Sequence, residues 1–142
     1  MSIAALGSAS LSQVKTLLEA NGLPTSDVSP EVRLLGEHVG SRLVGVVGLE
    51  ARGGVGLLRS LAVEPGRRGA GLGSELVTAI ERLAVATGVT DLYLLTTTAE
   101  DFFARRGYQC LPREAAPSGI RETTEFSSIC PASSTFMTKR LG

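Results

Sequence analysis

The chain has 142 residues, 43% hydrophobic and 20% charged, enough for a single domain, residues 1–142, with a packed core. Its 14 Lys+Arg and 14 Asp+Glu cancel to zero formal charge, so it lacks the basic footprint of a nucleic-acid binder. Cys110 and Cys130, with no CxxC or Cys/His cluster, exclude a disulfide framework and offer no metal site. No basic leader precedes an apolar stretch and no run nears the ~18 apolar residues of a membrane span, so the expectation is a cytoplasmic protein with no membrane partner.

In chain order, Ser10 and Gln13 form a capping-box pair before Leu11, Val14, Leu17 and Leu18, and Asn21-Gly22 stops the pattern, which predicts a helix over about 10–20. After a polar, Pro-flanked connection from Thr25 to Pro30, the β-rich runs 32–38 and 43–50 flank a Val39–Arg42 turn and predict a hairpin. The continuous apolar run 55–63 suits a central strand buried on both faces. From Leu72 onward, Leu76, Val77, Ile80, Leu83 and Ala84 share one face and predict a helix over 73–87 that Gly88 ends. A strand at 91–96, a short helix at 99–106 closed by Gly107, a strand at 108–111 and a last strand at 134–141 follow. The expected fold class is α/β, a mixed, mostly antiparallel central sheet flanked by helices.

The stretch Leu61-Ala62-Val63-Glu64-Pro65-Gly66-Arg67-Arg68-Gly69-Ala70-Gly71-Leu72-Gly73-Ser74 carries the chemistry. A strand runs into a Gly/Arg turn that opens an amphipathic helix. Backbone N–H groups at Gly69, Gly71 and Gly73 can close around an anion, and the helix start adds partial positive charge. The same turn also serves as an ordinary tight strand-to-helix connection. A Walker loop is excluded because Gly73-Ser74 lacks the lysine, and a dinucleotide fingerprint because the third glycine position is Ser74.

What remains is Arg/Gln-x-x-Gly-x-Gly/Ala, filled by Arg68–Gly73 after Leu-x-Val-x-Pro in Leu61–Pro65. This resembles the acetyl-CoA loop of the GCN5-related N-acetyltransferases. A second segment, Thr96-Thr97-Thr98-Ala99-Glu100-Asp101-Phe102-Phe103-Ala104-Arg105-Arg106-Gly107-Tyr108, resembles their Asn-x-x-Ala-x-x-Phe-Tyr-x-x-x-Gly-Phe pattern. The resemblance spans roughly residues 32–111. It implies acetyl-CoA as cofactor, with the backbone of Leu61, Ala62 and Val63 aligning the pantetheine arm and thioester. It also implies that Arg68, Gly69, Ala70, Gly71, Leu72, Gly73 and Ser74 hold the diphosphate, and that Thr96, Phe102, Phe103 and Arg106 complete the cofactor site. Thr96 stands where the family commonly has Asn, and Phe103 where it often has the Tyr that protonates the departing thiolate. The segments 48–50, 57–61, 94–96 and 124–133 further resemble the small N-acetyltransferases of bacterial arsenic-resistance operons. That implies a small anionic amino-acid-like amine as acceptor, with organoarsenical or phosphinic analogues as candidates.

An acceptor amine with pKa ~10 must lose a proton before attack, so a base is required. Glu50, at the end of a strand beside the cofactor strand, is the candidate catalytic residue, its alternative being a solvated hairpin carboxylate. His38 reads better as a surface or packing residue, and Glu64 as a turn cap. Arg59, charged in an apolar strand, must meet an internal carboxylate or an anionic acceptor. Arg121, Thr123 and Glu125 alternate as acceptor-pocket or edge-strand residues, and Cys130 reads as a structural thiol. The expected partner is a small-molecule amine, with homodimerisation open. Protein N-terminal or lysine acetylation and a non-catalytic acyl-CoA sensor are the competing readings.

Overall fold

The structure, a computed structural model, describes residues 3–23, 32–67, 71–123, 126 and 134–141. Its strands are β1 (Ala4–Ala5), β2 (Arg33–Val39), β3 (Arg42–Arg52), β4 (Val55–Val63), β5 (Asp91–Thr96), β6 (Gln109–Cys110) and β7 (Thr135–Arg140). Its α-helices are α1 (Leu11–Ala20), α2 (Leu72–Ala86), α3 (Glu100–Ala104) and α4 (Ser118–Arg121). The strands form one seven-stranded mixed sheet in the order β1-β2-β3-β4-β5-β7-β6, with helices flanking it. β4 holds the central place that its apolar run predicts.

The residues gather into two compact units, one of Met1–Glu50 with Leu58–Leu83, the other of Ala51–Leu57 with Ala84–Gly142. β3 and β4 each contribute residues to both.

In the first unit, β1 pairs antiparallel with β2, and β2 with β3, with a register shift between Glu37 and His38. Val14, Leu17 and Leu18 of α1 pack with Leu43, Val46 and Ala62, the apolar stripe that a 3.6-residue period places on one side of a helix. The strands approach closely at Gly36, where a Cβ would stand 2.7 Å from the Gly45 carbonyl oxygen. The expected capping box does not form. Ser10 makes no side-chain cap bond, and Gln13 Oε1 instead accepts from the Leu43 N–H at 2.9 Å. A strand's donor thirty residues away thus takes the acceptor that local sequence assigned to the helix. At the other end Asn21 Nδ2 donates to the carbonyls of Leu17 and Val63, tying the helix terminus to the end of β4.

In the second unit, β4 and β5 pair in parallel over Val55–Leu57 and Asp91–Tyr93, as a strand–helix–strand crossover requires. β7 pairs antiparallel with β5 and with β6. Leu57, Ala116, Ile120 and Phe136 form the core, with Tyr93 stacked on Phe136 at 5.6 Å between ring centroids. Gly107 adopts φ +94 and the Tyr108 N–H bonds the Phe103 carbonyl, closing α3 where its sequence signal lies. The late polar segment is not an extended strand around Arg121: Pro117 precedes the single turn α4, and Thr123 follows it.

Candidate active site

In the first unit, the chemistry-bearing side chains cluster on β3 and β4. Arg59 of β4 is buried, and its Nη1 donates to Glu50 Oε1 of β3 at 2.7 Å. Of the two partners open to Arg59 in the sequence, the structure supplies the internal carboxylate, and that carboxylate is the candidate base. Arg59 Nε also donates to the Ser60 hydroxyl at 3.2 Å.

Ser60 has φ 58, the one non-glycine positive φ among the described residues. A left-handed L-residue within a strand is strained, and such residues cluster where backbone must be aimed at something. Sequence reasoning passed over Ser60; its only signal was the polar Arg-Ser pair interrupting an apolar run. Leu61 and Val63, half-buried, and Ala62, buried, follow directly.

Arg68, Gly69 and Ala70 of the expected anion cradle lie outside the described residues. Gly71 has φ +87, a conformation that favours glycine, and among the described residues no atom beyond its chain neighbours lies within 4 Å of where its Cβ would stand. Its carbonyl accepts the Glu75 N–H as α2 begins. Leu72 is buried, with Gly73 and Ser74 half-buried on the first turn. An open glycine corner at the start of a fifteen-residue helix fits a diphosphate group. His38 is half-buried at the strand irregularity. The Glu64 carboxylate pairs with Arg42 at 3.0 Å.

In the second unit, Thr96 Oγ1 accepts the Ala99 N–H at 3.0 Å and so caps the approach to α3. The Arg106 guanidinium lies over the Phe102 ring, 3.6 Å from its centroid, and Nη1 donates to the Phe102 carbonyl. Phe103 is buried, edge-on to Phe102 and Tyr108. Arg121, exposed, bonds back onto its own segment: Nε donates to the Ala116 carbonyl at 2.8 Å and Nη2 to that of Glu114 at 2.6 Å. Thr123 is fully buried, its hydroxyl donating to the Ile120 carbonyl and accepting the Phe126 N–H. Both bond to nearby backbone carbonyls, and 121 and 123 lie in and just after a helical turn, not in an edge strand. Glu125 and Cys130 lie outside the described residues. Glu100 accepts from Cys110 Sγ at 3.5 Å and from Thr135 Oγ1 at 3.2 Å. Desolvation, that hydrogen bond and the negative charge of Glu100 push the Cys110 thiol above its ordinary pKa. Among the described residues no group of three or more His, Cys, Asp or Glu could hold a metal ion, and no helix is long and apolar enough to cross a membrane.

The domain thus combines a mixed sheet, a parallel strand–helix–strand crossover and a glycine corner opening the crossover helix. The model of the Acetyltransferase (GNAT) domain matches residues 32–110, more than half of the chain, and the chain belongs to this family. Over 65 residues, 46% of its length, it is 42% identical to an amino-acid acetyltransferase of Azotobacter vinelandii, of which the match takes in 13%. N-acetylglutamate synthase from Neisseria gonorrhoeae, solved with coenzyme A and N-acetyl-glutamate, superimposes on 99% of the chain with a TM-score of 0.80 and 26% identity. The chain spans 35% of that protein. Tetrahymena GCN5 matches all of the chain and 97% of its own length at a TM-score of 0.81, and at 12% identity it shows the fold alone.

Proposed function

We propose that the chain transfers the acetyl group of acetyl-CoA to the amino group of a small, anionic, amino-acid-like acceptor in a ternary complex. The observation that carries this reading is the match, over nearly the whole chain, to an N-acetylglutamate synthase solved with coenzyme A and its acetylated amino acid. The local similarity to an amino-acid acetyltransferase agrees with it. The resemblance to the arsenic-resistance acetyltransferases adds amino acids bearing an arsenical or phosphinic acid group as candidate acceptors.

In the reaction, the amine nitrogen bonds to the thioester carbonyl carbon, the C–S bond breaks, and the thiolate leaves and takes up a proton. The amine sheds a proton in the same sequence. The glycine corner at Gly71 and the first turn of α2 receive the diphosphate, while the β4 backbone from Leu61 to Val63 aligns the pantetheine arm. Holding amine and thioester together supplies most of the acceleration, since effective molarity lowers the barrier without a strong acid or base. That suits a chain with Phe103 at the family's usual acid position, because a thiolate leaves without much assistance. Proton removal by Glu50 would leave Arg59 buried beside a neutral partner, which is costly. Water is therefore the better acceptor for the amine's proton.

Thiol release from acetyl-CoA, followed across proteinogenic amino acids, their phosphinic and arsenical analogues, and lysine-containing peptides, tests the reading. Turnover concentrated on anionic amino acids supports it. Turnover confined to peptides, or acetyl-CoA binding with no turnover on any amine, overturns it.

A further inference from the structure

Arg59 reaches in two directions along the strands, Nη1 donating to Glu50 and Nε to the hydroxyl of the next residue, Ser60. That residue alone among the described non-glycines adopts a positive φ. The Arg59 side chain is 1% exposed and that of Glu50 8%, so water competes little for the ion pair. A left-handed residue inside a strand breaks the alternation of the backbone, turning the peptide groups on either side of it away from the regular ladder. Serine has no intrinsic preference for that conformation, and something must hold it there.

We propose that Glu50 and Arg59 are a positioning pair: Glu50 fixes the guanidinium, Arg59 Nε fixes the Ser60 hydroxyl, and together they hold the bend that directs the Ser60–Leu61 backbone toward the thioester. The proposal rests on the acetyl-transfer reading and deepens it. It gives to one device two residues that the sequence assigned separately to proton removal and acceptor binding. Neither side chain needs to touch either substrate.

The test uses Arg59→Lys, which keeps a cation for Glu50 and removes the Nε donor to Ser60. Its effect is compared in the native background and in a Ser60→Gly background, where glycine adopts positive φ without a holding contact. The readouts are kcat and KM for both substrates, acetyl-CoA affinity by calorimetry, and thermal unfolding. In the native background Arg59→Lys lowers kcat by about tenfold or more in a folded protein, and in the Ser60→Gly background by less than about threefold. An equal loss in both backgrounds overturns the proposal. So does a rise in the acceptor's KM alone, which would make Arg59 an acceptor anchor. Should Arg59→Lys unfold, Glu50→Gln carries the same comparison. If the native protein binds no acetyl-CoA, the acetyl-transfer reading itself fails and the proposal falls with it, whereas full native activity with equal losses rejects only the positioning pair.

Discussion

Arg59 and Glu50, nine positions apart on two strands, meet as a buried ion pair at 2.7 Å. Removing one member leaves an uncompensated buried charge, whereas replacing both with apolar residues removes the desolvation penalty together with the attraction. Arg59→Ala should therefore cost about 3–5 kcal/mol of stability, and the double variant Glu50→Leu/Arg59→Met should recover most of it. Urea unfolding of both singles and the double checks this, and additive losses would contradict it.

Gly71 separates backbone strain from steric exclusion. At φ +87 with open space around its Cβ position, any L-residue is strained by about 1–2 kcal/mol, so Gly71→Ala and Gly71→Gln should lose similar stability. Only the longer glutamine side chain can also fill the corner assigned to the diphosphate. Calorimetry should show acetyl-CoA affinity falling by about tenfold or more beyond the alanine variant; equal affinities would remove the diphosphate from this corner.

The buried ring of Phe103 supports the structure more plainly than the chemistry. Edge-on contacts to Phe102 and Tyr108, at 5.1 and 5.4 Å between centroids, predict a loss of about 3–5 kcal/mol for Phe103→Ala. Phe103→Tyr puts a hydroxyl into this aromatic cluster, so it should lower the melting temperature and leave kcat without an increase. A higher kcat would show that the position reaches the leaving thiolate.

Desolvation first, then the hydrogen bond to Glu100 and its negative charge, push the Cys110 thiol above its ordinary pKa. Because the thiolate is the nucleophile, a raised pKa means slow alkylation near neutral pH. Glu100→Gln removes the charge and should speed carbamidomethylation of the Cys110 peptide, followed by mass spectrometry. An unchanged rate would show that desolvation alone controls the thiol.

The long elements were legible because their signals are local and strong. β4 and β5 begin and end where their apolar runs predict, bounded by the Gly53-Gly54 turn, Glu64-Pro65 and Asp91. The helical period of Leu76, Val77 and Ile80 locates α2 to within one residue at each end. β1 was missed because a two-residue edge strand, Ala4–Ala5, has no periodicity to read. Gln13 misled for a different reason, since its side chain accepts from a backbone N–H that the fold brings near it, and Arg121 sits in a helical turn where the alternation also allowed an edge strand. At the candidate site, residue types pointed to Glu50 and Arg59, but their pairing and the Ser60 bend depend on how two strands align, which composition does not encode.

Acetyl transfer to a small amine is tested most directly by incubating the protein with isotope-labelled acetyl-CoA and an equimolar mixture of amino acids and their phosphinic and arsenical analogues. Mass spectrometry then locates the label. Labelled acetyl is expected on the α-nitrogen of anionic amino-acid-like compounds, formed in step with free CoA. Free CoA without an acetylated amine, or label found only on polypeptide, would contradict it.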